Sequence, residues 1–141
     1  MSNIYLASGF FDEFQNKHVT SAEDFLRSKG YGVFSPREHQ NKHLEFGSKE
    51  WREATFDNDI DHIVSCDFVF AILDDKMDEG VLFEIGYAHA IGRPVVLLDL
   101  SNKIMNLMIS DSITAYLEDW DEAYSYDYST LKHKPYTGEV I

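Results

Sequence analysis

Near the middle of the chain, Asp67-Phe68-Val69-Phe70-Ala71-Ile72-Leu73 carries apolar side chains at six consecutive positions. A strand with one face in water alternates apolar and polar residues, so an unbroken run of this kind belongs to a strand covered on both faces. Parallel neighbours need crossover connections, so helices should flank the run in sequence. They do. Residues 3–8 (Asn3-Ile4-Tyr5-Leu6-Ala7-Ser8) are short, apolar and closed by Gly9, the pattern of a buried strand and turn. Residues 12–27 place Phe14, Ala22, Phe25 and Leu26 at loosely helical spacing, with Gly30 where a helix stops. Tyr31-Gly32-Val33-Phe34 is a second strand, ended by Ser35-Pro36. Residues 37–48 are a polar loop long enough to suggest a function. Residues 49–64 carry Trp51, Ala54, Phe56, Ile60 and Ile63 at the three- and four-residue steps of an amphipathic helix.

Beyond the central run comes an acidic loop, Asp74 to Gly80, and then a helix over residues 81–91 stopped by Gly92. Pro94 opens the strand Val95-Val96-Leu97-Leu98. Four alternations without a hairpin signal predict an α/β fold: a single domain over residues 1–141, a doubly wound, mainly parallel five-stranded sheet with helices on both faces, flavodoxin- or Rossmann-like. Residues 113–117 fit either a fifth strand or a helix, and residues 124–136 are aromatic without a clear period.

The composition narrows the function classes. The chain's 141 residues, 44% of them apolar, suffice for one core and not for two. Its one cysteine, Cys66, excludes a disulfide framework and reads as a small core residue in a reducing compartment. The first residues carry neither a basic leader nor a cleavage site, and no apolar run reaches membrane-spanning length, so a cytoplasmic protein without a membrane partner is expected. A formal charge of −13, with twelve basic residues that do not cluster, argues against a nucleic-acid polymer and favours a small neutral ligand.

In open parallel sheets, ligands bind beyond the carboxyl ends of the strands. The shortlist is therefore residues 8–11, 36–43, 74–84 and the stretch after Leu100. Glu84 is expected in the first turn or so of its helix, where free N–H groups and the dipole favour an ionised carboxylate able to attack carbon. Ordinary capping chemistry also puts acids at helix starts. Three metal-like patterns fail. Asp57-Asn58-Asp59-Ile60-Asp61 lacks the glycine and distal glutamate of a calcium loop. His39 and His43 have no third ligand nearby. Asp74, Asp75, Asp78 and Glu79 resemble a magnesium pocket, but Ser8-Gly9 follows the first strand where partner acids should stand.

Phe83-Glu84-Ile85-Gly86-Tyr87-Ala88, preceded by Asp78, resembles the signature of the nucleoside 2-deoxyribosyltransferases. The likeness extends to Tyr5 with Gly9-Phe10-Phe11 and Gln15-Asn16-Lys17, to Pro36 with Gln40, to Asn58-Asp59, and to Asn106-Leu107-Met108. It departs at Phe10, where the family commonly has Trp, and at Val140-Ile141, where an aromatic terminus is common. The resemblance implies Glu84 as nucleophile, Tyr5 as the group that orients it and Asp59 as the proton carrier for the leaving base. It also implies a sugar and base pocket drawn from Asp78, Gln40, Gly9 and Phe10. Asn106 and Met108 would be lent to a neighbouring subunit of a homo-oligomer, with Met105, Met108 and Ile109 supplying part of the interface. The implied activity is transfer of a 2-deoxyribosyl group between free nucleobases in nucleotide salvage, with slow hydrolysis beside it and no metal or redox cofactor. Two other readings are a 2'-deoxynucleoside 5'-monophosphate N-glycosidase, which would need basic or hydroxyl groups for its phosphate, and a nucleoside-binding module without catalysis.

Overall fold

The computed structural model describes residues 2–141. Five strands, β1 (Asn3–Ala7), β2 (Gly32–Phe34), β3 (Phe68–Leu73), β4 (Val95–Asp99) and β5 (Ala115–Leu117), form one all-parallel sheet in the order β2-β1-β3-β4-β5. The expected five-stranded parallel α/β sheet is thus observed, and β3, apolar at every position, is its central strand.

Period-two alternation sorts the strand side chains into two cores. Ile4, Leu6, Phe68, Phe70, Ile72, Val96 and Leu98 face one side, where α1 (Glu13–Ser28) packs through Val19, Ala22 and Leu26. Tyr5, Ala7, Val69, Ala71, Leu73, Val95 and Leu97 face the other, under Ile63 of α2 (Lys49–Ser65) and Val81, Ile85 and Ala88 of α3 (Glu79–Ala90). Each helix start is capped by a side chain: Asp12 accepts from Gln15 N, Ser48 from Trp51 N and Asp78 from Val81 N. Gly92, at φ +78°, takes the left-handed turn that ends α3 and sends the chain into β4.

The less legible tail resolves into three pieces. Residues 113–117 supply a strand and not a helix, with Val96 paired to Ala115 and Leu98 to Leu117. A short helix α4 (Leu107–Ser110) precedes it, and α5 (Trp120–Ser125) follows. The aromatic stretch beyond has no period because it packs as a cluster: Tyr128 is buried against Phe25, Tyr31, Phe68 and Phe70. Met105, expected at a subunit interface, is fully buried in the second core, since its backbone bridges Val140 and draws it inward.

β1 lies between β2 and β3, so the connections leaving β1 and β3 diverge to opposite faces of the sheet. A crevice opens at such a switch point, beyond the carboxyl ends of β1, β2 and β3.

Candidate active site

A cavity of about 570 Å³ occupies this crevice. Its floor and walls come from Ser8, Phe10 and Phe11 after β1, Pro36, Arg37 and Gln40 after β2, and Asp78 and Glu84 around α3. Trp51, Thr55, Asp59 and Ile63, spaced four apart on α2, form the remaining wall. The amphipathic helix expected over residues 49–64 is observed, with Trp51, Ala54, Phe56, Ile60 and Ile63 among its apolar residues. Of these only Ile63 is buried, and Phe56 stays more than half exposed. The helix turns Trp51, Thr55, Phe56, Asp59 and Ile60 to the cavity. An i, i+4, i+8 step that includes Asp59 was the available signal for this stripe.

Glu84 is the sixth residue of α3, in its second turn, and not at the helix start. The free N–H groups of the first turn, one of which bonds the Asp78 cap, therefore do not stabilise its charge. Burial dominates instead and pushes the Glu84 carboxyl up to about 8, with smaller upward contributions from the Asp59 and Asp78 charges. The Tyr5 hydroxyl opposes the shift by donating a hydrogen bond to Glu84 Oε2. Tyr5 is wholly buried, and its own ionisation is raised far out of range by burial and by the Glu84 charge, so the phenol is a fixed donor. Phe34 stacks against its ring at 5.7 Å.

Asp59 is half-buried, but its Oδ1 is buried without a hydrogen-bond partner. A buried acceptor without a partner costs most when the carboxyl is ionised, which favours its protonated form. Burial raises this carboxyl to about 6, while His62, one turn along α2, pulls it down. Asp78 spends Oδ1 on the α3 cap and also lines the cavity.

The other sequence candidates fall in three places. Gln40 and Phe10 line the cavity. Gly9 is buried next to it and acts sterically: a Cβ there would stand 2.7 Å from Gln15 Nε2, part of a clamp in which Gln15 accepts from Phe11 N and donates to buried Asp74. Asn106 and Met108 do not line the cavity; they are exposed at the start of α4, where Asn106 Oδ1 accepts from Met108 N at 2.8 Å. The terminal Ile141 runs beside them, exchanging backbone hydrogen bonds with Met105 and Leu107.

Among the described residues lining the cavity, Arg37 is the one cation, and it is not free. Its guanidinium makes a two-bond fork to Glu23 of α1, at 2.9 and 2.5 Å. Sequence reasoning missed this pair because neither residue announces its partner until α1 and the loop after β2 are side by side.

Fold and cavity define an α/β protein with a crevice at the switch point of its sheet, lined by aromatic side chains and by the carboxyl groups of Asp59, Asp78 and Glu84. The family model for nucleoside 2-deoxyribosyltransferase matches residues 4–121, and the chain belongs to that family. A nucleoside deoxyribosyltransferase of Limosilactobacillus fermentum is 33% identical over 93% of this chain and 84% of its own length. The solved structure of a 2-deoxyribosyltransferase from Bacillus psychrosaccharolyticus superposes with a TM-score of 0.92 at 49% identity, covering 96% of this chain and all of that one. A more distant structure, a CMP N-glycosidase of Clostridium botulinum, gives a TM-score of 0.51 at 27% identity over 69% of this chain and 71% of that one. The members it resembles are transferases, and the chain is accordingly an enzyme of the transferase class.

Proposed function

We propose that the enzyme moves a 2-deoxyribosyl group from one nucleobase to another by double displacement on Glu84. The observation that carries this reading is the Tyr5-held Glu84 carboxyl in a cavity whose wall also includes Asp59, a second carboxyl raised by burial. In the first half-reaction a Glu84 oxygen bonds to C1' as the bond from C1' to the base nitrogen breaks, and Asp59 gives that nitrogen its proton. In the second half, a new base nitrogen attacks C1', the ester bond to Glu84 breaks, and Asp59 recovers a proton. Two inversions retain the anomeric configuration.

The two raised carboxyls suit this cycle. Between about 6 and about 8 the pair together holds one proton, which is the number the first step requires. In the free enzyme the proton resides on Glu84, whose carboxyl is the more strongly raised. Positive charge developing at C1' favours ionised Glu84 and leaves the proton for Asp59. Asp78, with Oδ2 uncommitted, is placed to bind a sugar hydroxyl, and Phe10 offers a stacking surface.

The monophosphate glycosidase reading is disfavoured because the one cation in the cavity wall, Arg37, is already neutralised by Glu23. The decisive experiment incubates the enzyme with deoxyinosine and cytosine. Hypoxanthine and deoxycytidine should accumulate together; release of free deoxyribose at the same rate with and without cytosine would refute transfer.

We further propose a homo-oligomer in salvage metabolism. Exposed Ile104, Leu107, Met108, Val140 and Ile141 cluster around α4 and offer an apolar surface to a second copy.

A further inference from the structure

Two crossed ion pairs join α1 to the 3-10 turn at Pro36–Glu38, which follows β2. α1 contributes Glu23 and Arg27, one helical turn apart, and the turn contributes Arg37 and Glu38, adjacent in sequence. Arg37 forks onto Glu23 while Arg27 forks onto Glu38 at 3.0 and 2.6 Å and also reaches Val33 O at 3.1 Å. The inner pair is unusual in that Glu23 is only 2% exposed and lies outside the cavity altogether. A buried ion pair adds little net stability over an apolar substitute, so stability alone does not account for it. What it does is fix geometry. The backbone carbonyl of Arg37 accepts from Gln40 Nε2 at 2.6 Å, and the backbone carbonyl of Gln40 accepts from Trp51 Nε1 at 2.9 Å. A carbonyl can only accept, so the Gln40 amide must turn its nitrogen to Arg37 and keep Oε1, an acceptor, for the cavity it lines.

We infer that Glu23 is a positioning residue for base selectivity: through Arg37 it locks the amide of Gln40 in the orientation that accepts a hydrogen bond from the base. This rests on the transfer reading above and adds a polarity to it. Acceptor bases that present an exocyclic amine should be favoured over bases of equal size that present a carbonyl at the same position. Stacking on Phe10 cannot supply that discrimination, because it depends on ring area and not on edge polarity.

The test compares kcat/KM for adenine and hypoxanthine, purines of the same size with reversed polar edges, using thymidine as donor. The ratio does not depend on how much of a preparation is correctly folded, so a merely structural role for Glu23 would leave it unchanged. The wild-type enzyme should favour adenine by about tenfold, the scale of one net hydrogen bond. Glu23→Gln, which keeps the shape and removes the charge, should bring the ratio toward 1 mainly through KM for adenine, and Glu23→Asp should fall between. Should Glu23→Gln fail to fold, Arg37→Lys, at a partly exposed position, removes the fork and should move the ratio the same way. A wild-type ratio near 1, or a ratio unchanged in the variants, would overturn the inference while leaving transfer intact. Wild-type enzyme that exchanges no base at all would instead refute the transfer reading.

Discussion

The Tyr5 hydroxyl donates to Glu84 Oε2 and thereby ties the middle of β1 to the second turn of α3 across 79 residues of sequence. The bond fixes one oxygen of the proposed nucleophile and leaves the other for the proposed attack on C1'. Tyr5→Phe keeps the ring stacked on Phe34 and removes only the donor. A hydrogen bond to a charged acceptor is worth about 1.5–3 kcal/mol, so kcat should fall roughly tenfold to a hundredfold. Because the same bond pulls the Glu84 carboxyl down, the alkaline side of the pH profile should also move up. Steady-state kinetics over a pH series check both; an unchanged kcat would remove Tyr5 from the mechanism.

The paired carboxyls predict a bell-shaped profile of kcat/KM. Below about 6 both Asp59 and Glu84 hold protons and no nucleophile is available; above about 8 neither does and the leaving base lacks its acid. Asp59→Asn should therefore be strongly impaired with deoxyadenosine, yet retain activity on a p-nitrophenyl 2-deoxyriboside, whose leaving group departs without a proton. Equal losses on the two substrates would mean that Asp59 does something other than carry that proton.

Glu84 also predicts a stability effect whose sign follows from its raised carboxyl. The unfolded chain loses this proton near 4.5, while the folded protein keeps it until about 8. Across that window the folded state binds more protons, so stability falls as pH rises and levels off above it. Glu84→Gln cannot ionise and escapes the loss. Its Tm should exceed that of the wild-type protein at pH 8.5, with the gap closing near pH 4.5, while transfer drops by several orders of magnitude and no deoxyribosyl adduct forms on the Glu84 peptide. Scanning calorimetry at the two pH values and intact-mass measurement supply the readouts.

Residues buried on both faces wrote the sheet plainly: the apolar run of β3 has no other use, and Gly92 with Pro94 marked where α3 had to yield to β4. The family signature likewise led to Glu84, Asp78 and Gln40. Periodicity located α2 but not what its apolar face meets, because Trp51 looks the same whether it faces a core or a cavity. The Glu23 and Arg37 pair left no local trace, being set by how α1 and the turn after β2 pack. The helix carrying Glu84 begins at Glu79, two residues before the expected start at Val81, so Glu84 falls in its second turn, where desolvation outweighs the dipole.

The final prediction concerns residues that the cavity does not contain. Asn106 is exposed at the N-cap of α4, and its Oδ1 already accepts from Met108 N, so a capping role within the subunit has direct geometric support. Its Nδ2 remains for another partner. Around it Leu107, Met108, Val140 and Ile141 present apolar surface, with the terminal residue hydrogen-bonded to Leu107 N at 3.0 Å. If this face covers the cavity of a second copy, Asn106 completes a neighbour's site and a separated subunit is inactive. The two roles differ in what Asn106→Ala does. Losing a cap costs about 1 kcal/mol of stability and leaves kcat nearly intact, whereas losing a shared ligand group abolishes transfer in a folded oligomer. Mixing is the sharper measurement. Glu84→Ala and Asn106→Ala subunits, each inactive alone, should regain part of the transfer rate after subunit exchange, since some cavities then pair an intact Glu84 with an intact Asn106. Exchange verified by mass spectrometry of mixed oligomers, without any recovery, would mean that each subunit builds its own site, whereas an Asn106→Ala enzyme that is active by itself would confine Asn106 to capping its helix.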